Sequence, residues 1–239
     1  STGTLSSADG NTGVGTGVFG ALTTGDSNVA VGLNALDVNT TGSANTAVGA
    51  YSLDSNTTGY SNTAIGCDAM QTNTEGFGNT ATGENSLELN TTGDLNVAIG
   101  KSTLRSNTTA NNNTAVGACA LNANTTGCCN ASVGSLSLNS NTTGNFNTAI
   151  GAQSLEKNTT AASNTGLGFK ALCTNTTGAE NVAVGQVALL ANTTGASNVG
   201  VGKSSLTANT TGASNTAVGH NSLKTNTTGT RNVAVGSSA

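Results

Sequence analysis

One period organises almost the whole chain: seventeen residues, repeated from Asn11 onward without insertion or deletion. Full copies begin at Asn11, Asn28, Asn45, Asn62, Asn79, Asn96, Asn113, Asn130, Asn147, Asn164, Asn181, Asn198 and Asn215, and a partial copy begins at Asn232. Counting positions 1 to 17 from each opening Asn, the consensus is Asn-Thr-Ala-Val-Gly-x-x-Ser-Leu-x-x-Asn-Thr-Thr-Gly-x-x. An unbroken register lets every residue stack on its equivalent one period later, which is the mark of a solenoid. The expected fold is all-β: a parallel β-solenoid, or β-roll, of about 14 coils of 17 residues. Its parts would be an N-terminal half-coil over 1–10, thirteen coils over 11–231 and a C-terminal half-coil over 232–239.

The columns of the repeat assign the layers. Position 4 is aliphatic in every copy except for Thr82, position 2 is Thr, Val or Ala, and position 3 between them is always Ala, Gly or Ser. This alternation predicts a short strand with positions 2 and 4 on its inward face. Val31, Val48, Ile65, Ile99 and Val116 would then form one interior ladder. Leu36, Leu53, Leu87, Leu104 and Leu121, at position 9, would form a second ladder facing it. Position 5 is Gly in every copy, as expected where a strand ends in a turn of positive φ or against another backbone. Asn28 and Asn45 at position 1, and Asn39 and Asn56 at position 12, are expected to form amide ladders along the stacking axis, at the ~4.8 Å strand spacing. From Asn11 onward every charged residue but Glu75 falls at positions 6, 7, 10, 11, 16 or 17, so those slots face water. A unit so rich in Gly, Thr and Asn, with no 3.6-residue apolar face, is a poor helix.

Composition narrows the function classes. Charged residues are 8% of the chain and the net charge is -4, so no basic patch recommends nucleic acid. No apolar run is long enough for a membrane-spanning helix. The chain opens on Ser1, without Met or a signal peptide, as expected of a processed or excised form. Cys67, Cys119, Cys128, Cys129 and Cys173 occupy five different repeat positions, which fits scattered thiols better than a disulfide framework or a metal site; a local bridge within 113–129 is the alternative. The lone His220 sits at variable position 6, and no carboxylate pairs with it at a repeated spacing. No Gly-Lys-Ser/Thr phosphate loop and no Asp column for calcium occurs. No catalytic, cofactor or metal site is therefore expected, and the chain is not read as an enzyme. Asn-Thr-Thr sequons recur from Asn39 to Asn226 at one-coil spacing, too close for a glycan on each.

The segments Asn28-Val29-Ala30-Val31-Gly32 and Asn96-Val97-Ala98-Ile99-Gly100 resemble the Ser-Val-Ala-Ile-Gly signature of trimeric autotransporter adhesin heads. The longer repeat with Asn-Thr-Thr-Gly is similar to repeats of phage and virus tail-fibre proteins. The resemblance covers essentially the whole chain. It implies a left-handed parallel β-roll, often trimeric, acting as a stalk or host-contact surface, with Val29, Val31, Val97 and Ile99 in the interior of the roll.

Residues 5–10 match positions 12 to 17 of the first full copy, so the two ends of the chain read as complementary half-coils. Leu5 at one end, and Asn232 and Val235 at the other, would then meet in a head-to-tail filament; the alternative is that the chain is a stretch of a longer repeat array. The expected function is an extracellular structural protein, a fibre, filament or appendage shaft. It would self-associate head to tail or as a homotrimer, with a cell surface or glycan as external target. The exposed aromatics Tyr51, Tyr60, Phe77, Phe146 and Phe169 would mark contacts between subunits or fold against adjacent coils. The alternative is an ice-binding solenoid using Thr ranks such as Thr40-Thr41. Against it, adjacent Thr point to opposite faces, and Glu75 interrupts the outward one.

Overall fold

A computed structural model describes residues 8–239; Leu5, with the rest of 1–7, lies outside the described residues. The chain divides into two compact units, one ending at Cys119 and the next beginning at Ala120. The first carries β1 (Thr12–Val14), β2 (Val29–Val31), β3 (Thr46–Val48), β4 (Thr63–Ile65), β5 (Thr80–Thr82), β6 (Val97–Ile99) and β7 (Thr114–Val116). The second carries β8 (Ala131–Val133), β9 (Thr148–Ile150), β10 (Thr165–Leu167), β11 (Val182–Val184), β12 (Val199–Val201), β13 (Thr216–Val218) and β14 (Val233–Val235). Each unit is a β-solenoid whose strands pair in parallel, in sequence order and in the register of the repeat. Val29, Ala30 and Val31 lie beside Thr46, Ala47 and Val48. In the second unit, Val182, Ala183 and Val184 lie beside Val199, Gly200 and Val201. No helix occurs among the described residues.

Two backbone demands explain the strictest columns. Gly at position 5 ends each strand with φ between +126° and +142°, a region closed to ordinary side chains. A Cβ on Gly185 would also lie 2.6 Å from the carbonyl carbon of Gly202 in the next coil. Position 9 is left-handed as well, with Leu104 at φ 50° and Leu138 at φ 48°. Leu, Met and Phe occupy this column; Val and Ile, so frequent at position 4, do not, because β-branched residues tolerate left-handed backbone worst.

The interior differs from the expected one. Position 3 is the buried strand residue: Ala30, Ala47, Ala64, Ala98, Ala149 and Ala183 have no exposure, and the column opens only in the terminal strands, at Gly13 and Ala234. Positions 2 and 4 face out, so Val31, Val48, Ile65, Ile99 and Val116 form a ladder on the surface rather than inside. The cause is the shallow depth of the coil. A Cβ built on Gly200 would lie 2.9 Å from Ser205 Oγ and 3.4 Å from Leu189. Position 3 thus abuts positions 8 and 9 directly, leaving room for one methyl and not for a Val side chain. Position 8, unassigned from the sequence, is a buried small-residue column: Ala35, Ser52, Ala69, Ser86 and Thr103. Position 9 is interior as expected, with Leu36, Leu53, Leu87, Leu104 and Leu121 fully buried.

Within each unit both Asn columns form hydrogen-bonded ladders. At position 12, Asn56 Nδ2 donates to Asn39 Oδ1 at 2.8 Å and to the Gly59 carbonyl at 2.9 Å. At position 1, the backbone N–H of Asn45 donates to Asn28 Oδ1 at 2.9 Å, and Asn45 Nδ2 donates to the Gly59 carbonyl at 2.8 Å. The two ladders converge on the position-15 carbonyl and satisfy polar groups in a space with no water-facing alternative. The same burial bars glycan from the sequon Asn of the inner coils in the folded chain: Asn39, Asn56 and Asn90 have no exposure, whereas Asn226 in the last full coil is half-buried.

Candidate functional surface

With Ala inside, each strand displays two outward residues. In β3 and β4 these are Thr46 with Val48 and Thr63 with Ile65; in β11 they are Val182 with Val184. In-register pairing aligns them into two parallel columns per unit. Ile65 and Ile99 are 41% exposed and Leu167 is 43% exposed, unusual values for large aliphatic residues in the middle of a sheet. No charged residue occurs at positions 2, 3 or 4 in any copy. Charges begin at the flanking slots, with Glu84, Lys101 and Lys203 at position 6 and Glu180 and Arg231 at position 17. The result is a flat, neutral, mostly aliphatic strip between polar margins.

The rest of the surface is organised by neighbouring coils. Lys101 Nζ pairs with Glu84 at 2.8 Å and Arg105 Nε with Glu88 at 2.5 Å, each one period apart. The Glu84 and Glu88 carboxylates raise the pKa of these cations. The Lys101–Glu84 pair is solvated and adds little stability, while Glu88 in the second pair is only 16% exposed. Tyr60 and Phe77 stack with ring centroids 4.9 Å apart and planes parallel, the aromatic counterpart of the Asn ladders. Tyr51 is half-buried, Phe146 projects into solvent, and Phe169 lies beneath the Lys170 ammonium at 5.3 Å. Position 14 is outward as expected (Thr58 and Thr92 are exposed), whereas position-13 hydroxyls are engaged, Thr57 Oγ1 donating to the Thr74 carbonyl at 3.0 Å.

The reactive side chains are dispersed. All five cysteines are free, so no bridge forms within 113–129. The Asp68 hydrogen bond raises the Cys67 thiol pKa, and burial followed by Glu156 raises that of Cys173; neither is poised as a nucleophile. His220 is exposed, with Asn221 as its polar neighbour. Among the described residues no group of three or more His, Cys, Asp or Glu is placed to hold a metal ion. Among the same residues no helix is long and apolar enough to cross a membrane. Asn232 bonds Asn215 Oδ1 at 2.9 Å, while Val235 is largely exposed. No protein family, curated protein or solved structure matches this chain.

Proposed function

We propose that the chain is a structural, fibre-forming module of an extracellular appendage that self-associates side by side through its position-2 and position-4 strip. The outward ladder of Val, Ile and Leu on an uncharged sheet face carries this reading. Seven three-residue strands at ~4.8 Å spacing give each unit a flat footprint of roughly 300 Å². Covering the strip removes apolar surface from water, and a two-fold assembly covers it with the same strip of another copy. The polar margins fit the rim of such an interface, and the stacked Asn, Leu and backbone ladders fit a load-bearing element. Lysine scanning tests the idea. Ile99→Lys with Ile150→Lys places one charge in the strip of each unit; Thr92→Lys with Thr143→Lys places charges at exposed position 14. In sedimentation equilibrium the unmodified chain and the position-14 variant should run at a multiple of 23.0 kDa, and the strip variant at 23.0 kDa with its β-sheet circular dichroism intact. An unmodified chain that stays at 23.0 kDa at its highest soluble concentration would refute side-by-side association.

A second reading rests on the hydroxyls in the same strip. Thr46, Thr63 and Thr80 stand outward on consecutive strands beside Val48, Ile65 and Thr82, a rank of hydroxyls beside a mostly aliphatic one, suited to ordering water. This differs from the Thr40-Thr41 ranks considered from sequence. Thermal hysteresis by a monomeric chain, abolished by Thr63→Lys, would favour ice binding; its absence would exclude it.

A further inference from the structure

Outside the Asn-Thr-Thr set the chain holds two more sequons, Asn112-Asn113-Thr114 and Asn130-Ala131-Ser132. N-linked modification attaches a bulky sugar to the side-chain amide of the Asn, so that amide must reach the surface. The coils close almost every candidate. From Asn39 to Asn209 the Asn-Thr-Thr asparagines are buried, and so is Asn130, at 1% exposure. Their amide hydrogens are committed as well: Asn90 Nδ2 donates to Asn73 Oδ1 at 2.7 Å and to the Gly93 carbonyl at 3.0 Å, and Asn130 Nδ2 to the Gly144 carbonyl at 2.9 Å. Half-buried Asn226 donates to Asn209 Oδ1 at 2.9 Å and to the Gly229 carbonyl at 3.1 Å. Asn112 differs on each count. It occupies position 17, a left-handed corner with φ 59°, where Asn is among the residues that fit best. Its backbone N–H donates to the Asp94 carbonyl at 3.1 Å, which holds the corner. Its side chain is exposed and makes no hydrogen bond among the described residues. Asn113 is anchored in the position-1 ladder, its N–H donating to Asn96 Oδ1 at 3.0 Å, while Thr114 at the start of β7 is exposed. The two residues that define this sequon therefore both face water.

We propose that Asn112 is the N-glycan acceptor of the folded chain, with the Thr114 hydroxyl as the group that the transferring enzyme reads. This inference rests on the extracellular part of the reading above and is independent of self-association. In the reaction the Asn112 side-chain nitrogen forms a bond to the anomeric carbon of a lipid-linked oligosaccharide. The bond from that carbon to the diphosphate oxygen breaks, the lipid diphosphate leaves, and the nitrogen gives up one proton. Nothing is oxidised or reduced. At Asn112 the lost hydrogen serves no bond in the fold, and the sugar projects into water. At Asn90 the same change removes a buried donor and places a sugar where there is no exposure, so a chain modified there cannot close its coil. Folding thus sorts the sequons: all are open in the unfolded chain, and the exposed corner at Asn112 is the one that keeps a free amide once the coils have stacked.

The test is site mapping on the full chain, passed through a eukaryotic secretory pathway behind an added signal peptide. The folded, protease-resistant fraction is denatured, its glycans are released enzymatically in heavy-oxygen water, and the mass-tagged Asp residues are located by peptide mass spectrometry. A second chain, with the position-14 Thr of every Asn-Thr-Thr sequon replaced by Ala, goes through the same steps. Position 14 is outward, so that chain keeps its fold while losing the competing sequons, and it reports on Asn112 even if modification at position 12 limits the yield of the first. The tag is expected at 112 in both chains and at neither Asn130 nor any site from Asn39 to Asn209. Asn112→Gln and Thr114→Ala should each abolish the glycan-dependent gel shift with β-sheet circular dichroism unchanged, and Thr114→Ser should retain it. Folded chains untagged at 112, or tagged on the buried asparagines to a similar extent, would overturn the acceptor assignment. Either result leaves side-by-side association standing, because sedimentation of unglycosylated chain reads that separately.

Discussion

Asn90→Asp tests the amide ladder with almost no change of shape. Asn90 is fully buried. Its Nδ2 donates to Asn73 Oδ1 at 2.7 Å and to the Gly93 carbonyl at 3.0 Å, and its Oδ1 accepts from Asn107 Nδ2 at 2.8 Å. A carboxylate keeps the accepted bond, loses both donated ones and points an oxygen at two acceptors. Losing two net bonds costs about 2 kcal/mol, and the acceptors left unpaired add about 1–3 kcal/mol. Burial without a cation raises the carboxyl pKa by about 3 units, equivalent to about 4 kcal/mol of preference for the neutral acid. These contributions overlap, because protonation restores one donor; the expected destabilisation at pH 7 is about 4–6 kcal/mol, falling to about 1–2 kcal/mol in acid. The sign follows from linkage. The folded pKa lies above the unfolded value near 3.9, so the ionisation penalty is absent below about pH 4 and grows by ~1.4 kcal/mol per pH unit until the folded pKa is passed. Urea unfolding of the variant and the unmodified chain from pH 3.5 to 8 measures the difference directly, and amide exchange around the ladder shows whether the loss is local, as stacked repeats allow. A penalty below about 1 kcal/mol, or one that does not change with pH, would refute the claim that this amide is buried and donating.

Other substitutions separate causes within single columns. Leu104→Ile, which conserves volume at φ 50°, should cost about 2 kcal/mol or more in urea unfolding, whereas Leu104→Met should cost under about 1.5 kcal/mol because Met70 already fills that column. Ser205→Ala should be neutral or stabilising by up to about 1 kcal/mol, since Ser205 Oγ is buried without a hydrogen-bond partner. Ser154→Ala, in the same column, should cost about 1 kcal/mol because Ser154 Oγ donates to the Gly166 carbonyl at 2.9 Å. Gly168→Ala should prevent cooperative folding of its coils, given φ 134° and a next-coil carbonyl carbon 2.7 Å from the added Cβ. Gly178→Ala places a Cβ 2.3 Å from the Gly195 carbonyl oxygen but needs no left-handed backbone, and Ala110 and Ala161 occupy that column, so it should lower the melting temperature less than Gly168→Ala and leave folding cooperative. Burial first, then Asp37 and Asp68, raise the Asp54 pKa; the folded state therefore disfavours its ionised form, and Asp54→Asn should raise the melting temperature at pH 7 but not below the unfolded carboxyl pKa.

The stacking itself was legible from the period, and so were the layers whose chemistry has a single outcome. Asn recurring at positions 1 and 12 needs partners one coil away, and Leu at position 9 needs an interior. Which side of the strand turns inward was not legible from hydrophobicity, because Val and Ile at position 4 outrank the Ala between them. The deciding quantity is depth: Leu189 and Ser205 lie so near position 3 that only Ala, Ser or Gly fits. A signal was present in side-chain size. Position 3 never exceeds Ser, the mark of a crowded site, while position 4 accepts Val, Ile, Leu and Thr, the mark of an open one. The neighbouring small-residue column at position 8, from Ala35 to Ser222, points the same way. Left-handed backbone at Leu104 and Leu138 had no such signal except the absence of β-branched residues, which period-based reading does not weigh. The strip was likewise invisible while its residues were assigned to the interior.

Thiol labelling at two adjacent positions of β6 tests the central claim, that the aliphatic ladder faces outward and is covered by other copies. Ala98→Cys and Ile99→Cys are prepared in a chain whose native cysteines are replaced by Ser, and maleimide labelling rates are measured across a dilution series. The prediction is that Cys at 98 stays protected at every concentration, while Cys at 99 labels freely in dilute solution and becomes protected as concentration rises. Rapid labelling at 98 with protection at 99 in dilute solution would contradict the assigned faces of the strand, and labelling at 99 independent of concentration would contradict the interface.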